Sequence, residues 1–181
     1  MPQSGARLVR GLVRGAGIGT QVATVRESAH TARDTGRAMS EESTARDMVE
    51  LLRQSVEAAN RRDFDAAWSI YSPDVVWDTS VRPSGEVGRF ESRAAWREFL
   101  EEWLAPYEEW KLEVEEIVAL GNGVLFAAFV QKGRLAGTEG YIEMRDAWAF
   151  RWENGLVVYV ESYLDPTEAR AAAERLAEER G

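Results

Sequence analysis

Residues 124–130, VLFAAFV, form an unbroken apolar row. Successive side chains of a strand point to opposite faces, so a strand here needs cover on both sides of its sheet. The demand recurs at 156–164, where Val157 and Tyr159 fall on one side and Val158 and Val160 on the other. WKLEVEEIVAL (110–120), EGYIEMRDAWAFRW (139–152) and LVVYVESYL (156–164) read as companion strands, and GNG and ENG supply the φ > 0 positions that tight hairpins require.

Helices come first in the chain. From Thr44 to Asn60, Met48, Leu51, Leu52, Val56 and Ala59 recur at the spacing of one helix face. RRDFDAAWSIYSP (61–73) predicts a short helix with Asp63 at its N-cap, carrying Phe64, Ala67, Trp68 and Tyr71 and stopped by Pro73; DVVWDTS follows as a strand. VRPSGEVGRFES (81–92) reads as a loop, and RAAWREFLEEWLAPY places Trp96, Phe99, Leu100, Trp103 and Leu104 on one helical stripe. At the other end Asp165, Pro166 and Glu168 stand at N-cap, N1 and N3 of a terminal helix, so Asp165 is read as a cap and not as a catalytic acid. The layout is segregated α+β, and because the helices can cover one sheet face, a second subunit is the simplest expected cover for the other.

Composition narrows the function classes. A chain of 181 residues with 45% hydrophobic content suits one domain with a sizeable core. A net charge of −9 argues against a nucleic-acid partner, and no apolar run approaches the roughly 20 residues that span a bilayer, so a soluble, cytoplasmic protein is expected. Cys is absent, which excludes disulfides and thiolate chemistry. Residues 1–38 carry six Arg against Glu27 and Asp34 and almost no aromatics; they are expected to be a disordered basic tail or an upstream extension, with the folded domain at 39–181. The only histidine, His30, lies in this tail, so no histidine-based mechanism is expected within the domain. Acidic runs such as EVEE read as solvated faces, and no metal-ligand pattern or phosphate-cradling Gly loop is found.

One residue breaks the pattern of its strand. Asp146 shares its face with Met144, Trp148, Phe150 and Trp152, a carboxylate among large apolar side chains. In such a place desolvation disfavours the charged form and raises the pKa, which suits a carboxyl that donates a proton to a carbonyl oxygen or removes one beside it. The alternative reading is a structural carboxylate paired with Arg134, Arg145, Ser162, Tyr163 or a backbone amide. Asp78 and Thr79, ending a strand beside a Pro/Gly loop, are read first as turn or cap residues. Trp68, Trp96 and Trp103 sit at helical core spacing; Trp77, Trp148 and Phe150, on strands, are the better pocket candidates.

The segment from about Thr44 to Leu176 resembles the nuclear transport factor 2-like superfamily, specifically its SnoaL-like branch. The likeness is carried by LLRQSVEAANRRDFDAAWSIYSPDVVW, by the Gly-containing loop leading into RAAWREFLEEW, and by DAWAFRWENGLVVYVESYLDPTEARAAA. It implies a cone-shaped curved sheet with three N-terminal helices (a cystatin-like α+β barrel), an apolar interior pocket and homodimers paired through the sheets. SnoaL-like polyketide cyclases use an acid/base Asp followed four residues later by Phe, which Asp146 and Phe150 match. The Tyr and general-base Asp of ketosteroid isomerases fall here at about Ser55 and Thr79, and the Arg-x-Asp and Asp of limonene epoxide hydrolases at about Ala128, Val130 and Ser162; neither set is present. The resemblance thus implies a cofactor-independent acid/base cyclase or isomerase of a hydrophobic carbonyl compound. Its catalytic residue would be Asp146, and its pocket Trp77, Thr79, Phe126, Met144, Trp148, Phe150 and Ser162. The other reading is a non-catalytic ligand-binding or dimerisation protein.

Overall fold

The computed structural model describes residues 41–79 and 88–181, of which 43–181 form one compact unit. The basic tail, with His30, and most of the loop expected at 81–92 lie outside the described residues. Helix α1 occupies residues 41–60 and buries Met48, Leu52, Ser55, Val56 and Ala58 along one stripe. Its last residue fastens it to the sheet: the Asn60 side chain donates to the Leu112 carbonyl at 2.9 Å and accepts from the Leu112 amide at 2.7 Å.

Helix α2 (Phe64–Trp68) is capped by Asp63, whose side chain accepts from the Ala66 amide. It closes before Tyr71, because Ser69 turns its amide and hydroxyl back onto the Ala66 carbonyl. Tyr71 therefore opens strand β1 (Tyr71–Asp78), and Pro73 lies inside that strand, whereas the spacing predicts Tyr71 on the helix and Pro73 as its stop. Part of the expected loop is a two-residue strand, β2 (Arg89–Phe90), which precedes α3 (Arg93–Leu104), capped by Ser92. Strands β3 (Tyr107–Gly121), β4 (Val124–Leu135), β5 (Tyr141–Glu153) and β6 (Leu156–Tyr163) form an antiparallel meander, and α4 (Pro166–Glu178) starts at the Asp165 cap with Pro166 at N1. The curved six-stranded sheet runs β2-β1-β6-β5-β4-β3, with β1 parallel to β6.

The hairpins turn where the sequence places Asn and Gly. Asn122, Gly123, Asn154 and Gly155 all have positive φ, and a Cβ on Gly123 would stand 2.7 Å from the Trp152 carbonyl oxygen. Only glycine fits that approach.

The two sheet faces carry separate cores. Leu125, Ala127 and Phe129 of β4 pack inward with Trp77, Phe150, Val160 and the stripes of α1 and α3. Val124, Phe126 and Ala128 face outward, where Ala169, Ala172, Ala173 and Ala177 of α4 lie against them. The small alanines let the helix sit close to the sheet. The second face of VLFAAFV is thus covered by the chain's own C-terminal helix, which removes the reason for requiring a second subunit there. The expected pocket position of Phe126 fails for the same reason: its side chain lies under α4, with the Arg170 guanidinium 4.5 Å from its ring centroid.

Candidate functional site

Inside the curve of the sheet, beneath α1–α3, lies a cavity of about 430 Å³. Strand parity decides what reaches it. Gln131 pairs with Leu112 on one side and Met144 on the other, so Trp110, Gln131 and Asp146 run diagonally over β3, β4 and β5 on the inner face. Asp146 is 1% exposed, and Gln131 Nε2 donates to its Oδ2 at 2.8 Å. The Gln131 Oε1 accepts from Trp110 Nε1 at 3.4 Å. An indole N–H can only donate, so this contact sets which end of the Gln131 amide faces the carboxyl. Arg134 and Arg145, the arginines considered as partners for Asp146, bind Glu108 and Glu109, and Glu115, respectively.

Trp77 is the hub of the aromatic wall. It stacks on Trp96 at 4.2 Å with 13° between planes, stacks on Tyr71 at 5.6 Å and meets Trp148 edge-on at 5.2 Å. Its Nε1 donates to Ser162 Oγ at 2.7 Å, which fixes the ring and uses one acceptor site of that hydroxyl. Thr79 faces inward and ties the loop ends together, its amide and hydroxyl both donating to the Gly88 carbonyl. Its neighbour Asp78 faces away, 3.5 Å from Arg89.

Of the residues expected at the site, Asp146, Trp77, Thr79, Met144, Trp148 and Ser162 border one cavity. Phe150 points the same way but lies beneath it, fully buried and edge-on to Trp148. Trp68 and Trp96 are buried, as core spacing predicts, and together with Trp103 they also form cavity wall. Sequence reasoning missed Gln131 and Tyr71. Gln131 carries a signal, a polar side chain on the inward parity of an apolar strand, two positions from Phe129. Tyr71 carries none, because its place depends on where α2 stops. Its ring is buried on the cavity wall, and burial pushes its phenol well above the ordinary range, only partly offset by a hydrogen bond with Ser55. Ser55 itself donates to the Ala67 carbonyl at 2.8 Å.

A curved sheet and helices that enclose an aromatic cavity bordered by the buried carboxyl of Asp146 define an α+β fold with an interior pocket. Residues 52–160 match the model of the SnoaL-like domain, and the chain belongs to that family. Among solved structures, a nuclear transport factor 2-like protein of unknown function from Burkholderia pseudomallei is 20% identical at a TM-score of 0.56, covering 70% of this chain and 97% of its own. A putative polyketide cyclase from Xanthomonas campestris pv. campestris is 22% identical at 0.54, covering 72% and 98%. TerC, co-crystallised with polyporic acid, is 20% identical at 0.56, covering 71% and 98%. No curated protein matches the chain. Among the described residues no helix is long and apolar enough to cross a membrane.

Proposed function

We propose that the chain is a cofactor-independent acid/base enzyme, a cyclase or isomerase of a hydrophobic carbonyl compound, with Asp146 as the group that moves the proton. The observation that carries this reading is a carboxyl 1% exposed yet bordering an aromatic cavity, oriented by Gln131. Desolvation favours its neutral form, which donates to a carbonyl or enolate oxygen; the Gln131 amide favours the ionised form, which removes the proton beside that carbonyl. A group drawn both ways can serve both halves of a proton shift. The match of Asp146 and Phe150 to the cyclase spacing supports the same assignment.

The test is a panel of enones and polyketide-like ketones offered to the protein and to Asp146→Asn. Turnover is expected to fall by roughly 10²–10⁴-fold in the variant while ligand binding persists. Equal turnover in the two proteins would refute the role. A homodimer through the sheet would have to use the part of the outer face beyond α4, where Tyr159 donates to Glu161. Sedimentation at micromolar concentration decides it.

A further inference from the structure

We propose that the end of the cavity against α1 and α2 is a binding site for a hydroxyl group of the ligand: the Tyr71 oxygen, made an acceptor by Ser55, takes a hydrogen bond from a phenol or alcohol. Tyr71, Ser55 and Ala67 all border the cavity there, and Tyr71 is 3% exposed. Counting protons fixes the polarity of the group. A serine hydroxyl has one proton to give, and Ser55 gives it to the Ala67 carbonyl at 2.8 Å. In the hydrogen bond between Ser55 and Tyr71 the phenol is therefore the donor. With that proton spent, what the Tyr71 oxygen still offers a ligand is a lone pair. Burial keeps the phenol protonated, so the polarity holds across the ordinary pH range.

The residue is held from several sides. Pairing of β1 with β6 sets Tyr71 beside Val157, Arg93 of α3 donates to the Trp68 and Tyr71 carbonyls at 3.3 and 3.1 Å, and the ring stacks on Trp77 at 5.6 Å. A group fixed in this way costs little to order when a ligand arrives. Trp77 stands between it and the carboxyl: it meets Trp148 edge-on at 5.2 Å, and Trp148 is the next inward residue after Asp146 on β5. Ring surface thus separates two polar pairs, Gln131 with Asp146 and Ser55 with Tyr71. The class of ligand this selects is a ring compound with a hydroxyl set apart from its carbonyl. A ligand without the hydroxyl leaves the Tyr71 oxygen facing apolar surface, and an ether in its place sets two acceptors against each other.

The inference goes beyond the acid/base reading, because it concerns binding and requires no turnover; it can stand where that reading fails. Titration calorimetry with matched probes tests it: a naphthol, which has a proton to donate, its methyl ether, which has only an acceptor, and the corresponding methylnaphthalene, which has neither. The naphthol is expected to bind more tightly than the ether by roughly fivefold or more. Tyr71→Phe keeps the ring and removes the oxygen. It should weaken the naphthol by roughly fivefold or more and leave the methylnaphthalene within about twofold. Ser55→Ala releases the Tyr71 proton to a ligand oxygen, so the ether should gain several-fold on the naphthol, whereas a residue that only supports the fold would move both alike. Equal binding of naphthol and ether, unchanged naphthol affinity in Tyr71→Phe, an unchanged ratio in Ser55→Ala, or no naphthol binding at millimolar concentration would overturn the proposal. So would a naphthol preference lost in Asp146→Asn and kept in Tyr71→Phe, which would put the hydroxyl at the carboxyl.

Discussion

Gln131 is held at both ends of its amide, by Trp110 and by Asp146. Gln131→Leu keeps the bulk but strips the buried carboxyl of a donor. The loss expected is about 1–3 kcal/mol, the cost of taking one hydrogen-bond donor from a buried carboxyl oxygen. Urea unfolding should show it as a lower midpoint at unchanged slope. Phe126 gives the complementary case. Phe126→Ala is expected to cost about 3–5 kcal/mol through the space left under α4, yet to leave ligand affinity in the cavity unchanged. A matching loss of affinity would show that the two faces are coupled. Asp146 could be placed from sequence because its strand alternates; Phe126 could not, because VLFAAFV is apolar at both parities and hides which residues face in. Only the pairing of Leu125 with Phe150 settles it.

At the scale of elements, helix and strand periodicity revealed most of the architecture, and what it hid were junctions. Asn60 reads in sequence as the end of a helix, but in the fold its amide stands in for a strand neighbour and gives Leu112 both of its missing hydrogen bonds. Asn60→Ala is therefore expected to destabilise by about 1–3 kcal/mol, more than an exposed helix-end substitution, since the Leu112 amide is left without its acceptor. Faster hydrogen exchange at Leu112 should accompany the loss. The parallel pairing of β1 with β6 was likewise hidden, because these strands are far apart in sequence and no turn signal links them. Tyr71 enters the cavity wall only through that pairing, beside Val157.

Over the whole molecule, acid and alkali should act through different physics. Glu109, Glu113 and Glu153 are held below their ordinary 4.5, chiefly by hydrogen bonds from Tyr141 and Arg134, from Lys132 and Lys111, and from Arg180. A depressed carboxyl stabilises the fold at pH above its unfolded value and loses that contribution as pH falls through the folded one, so stability should decline below about pH 4.5. At the other end burial, and then the hydrogen bond to Glu161, pushes the Tyr163 phenol from 10.0 up to about 12 and raises Tyr159 as well. A raised phenol stabilises fully below 10.0 and ceases to do so as pH climbs through its folded value, so a second decline should open between about 10 and 12. Salt separates the two arms. The glutamate pairs are exposed, and molar salt shortens the Debye length to about 3 Å, so the acid arm should flatten. The tyrosine shift comes first from burial, which salt does not screen, so the alkaline arm should remain. Melting temperatures across pH at low and molar salt, with phenolate absorbance followed in parallel, check both arms. An alkaline arm that vanished with salt would mean that Glu161's charge, and not burial, holds those phenols neutral.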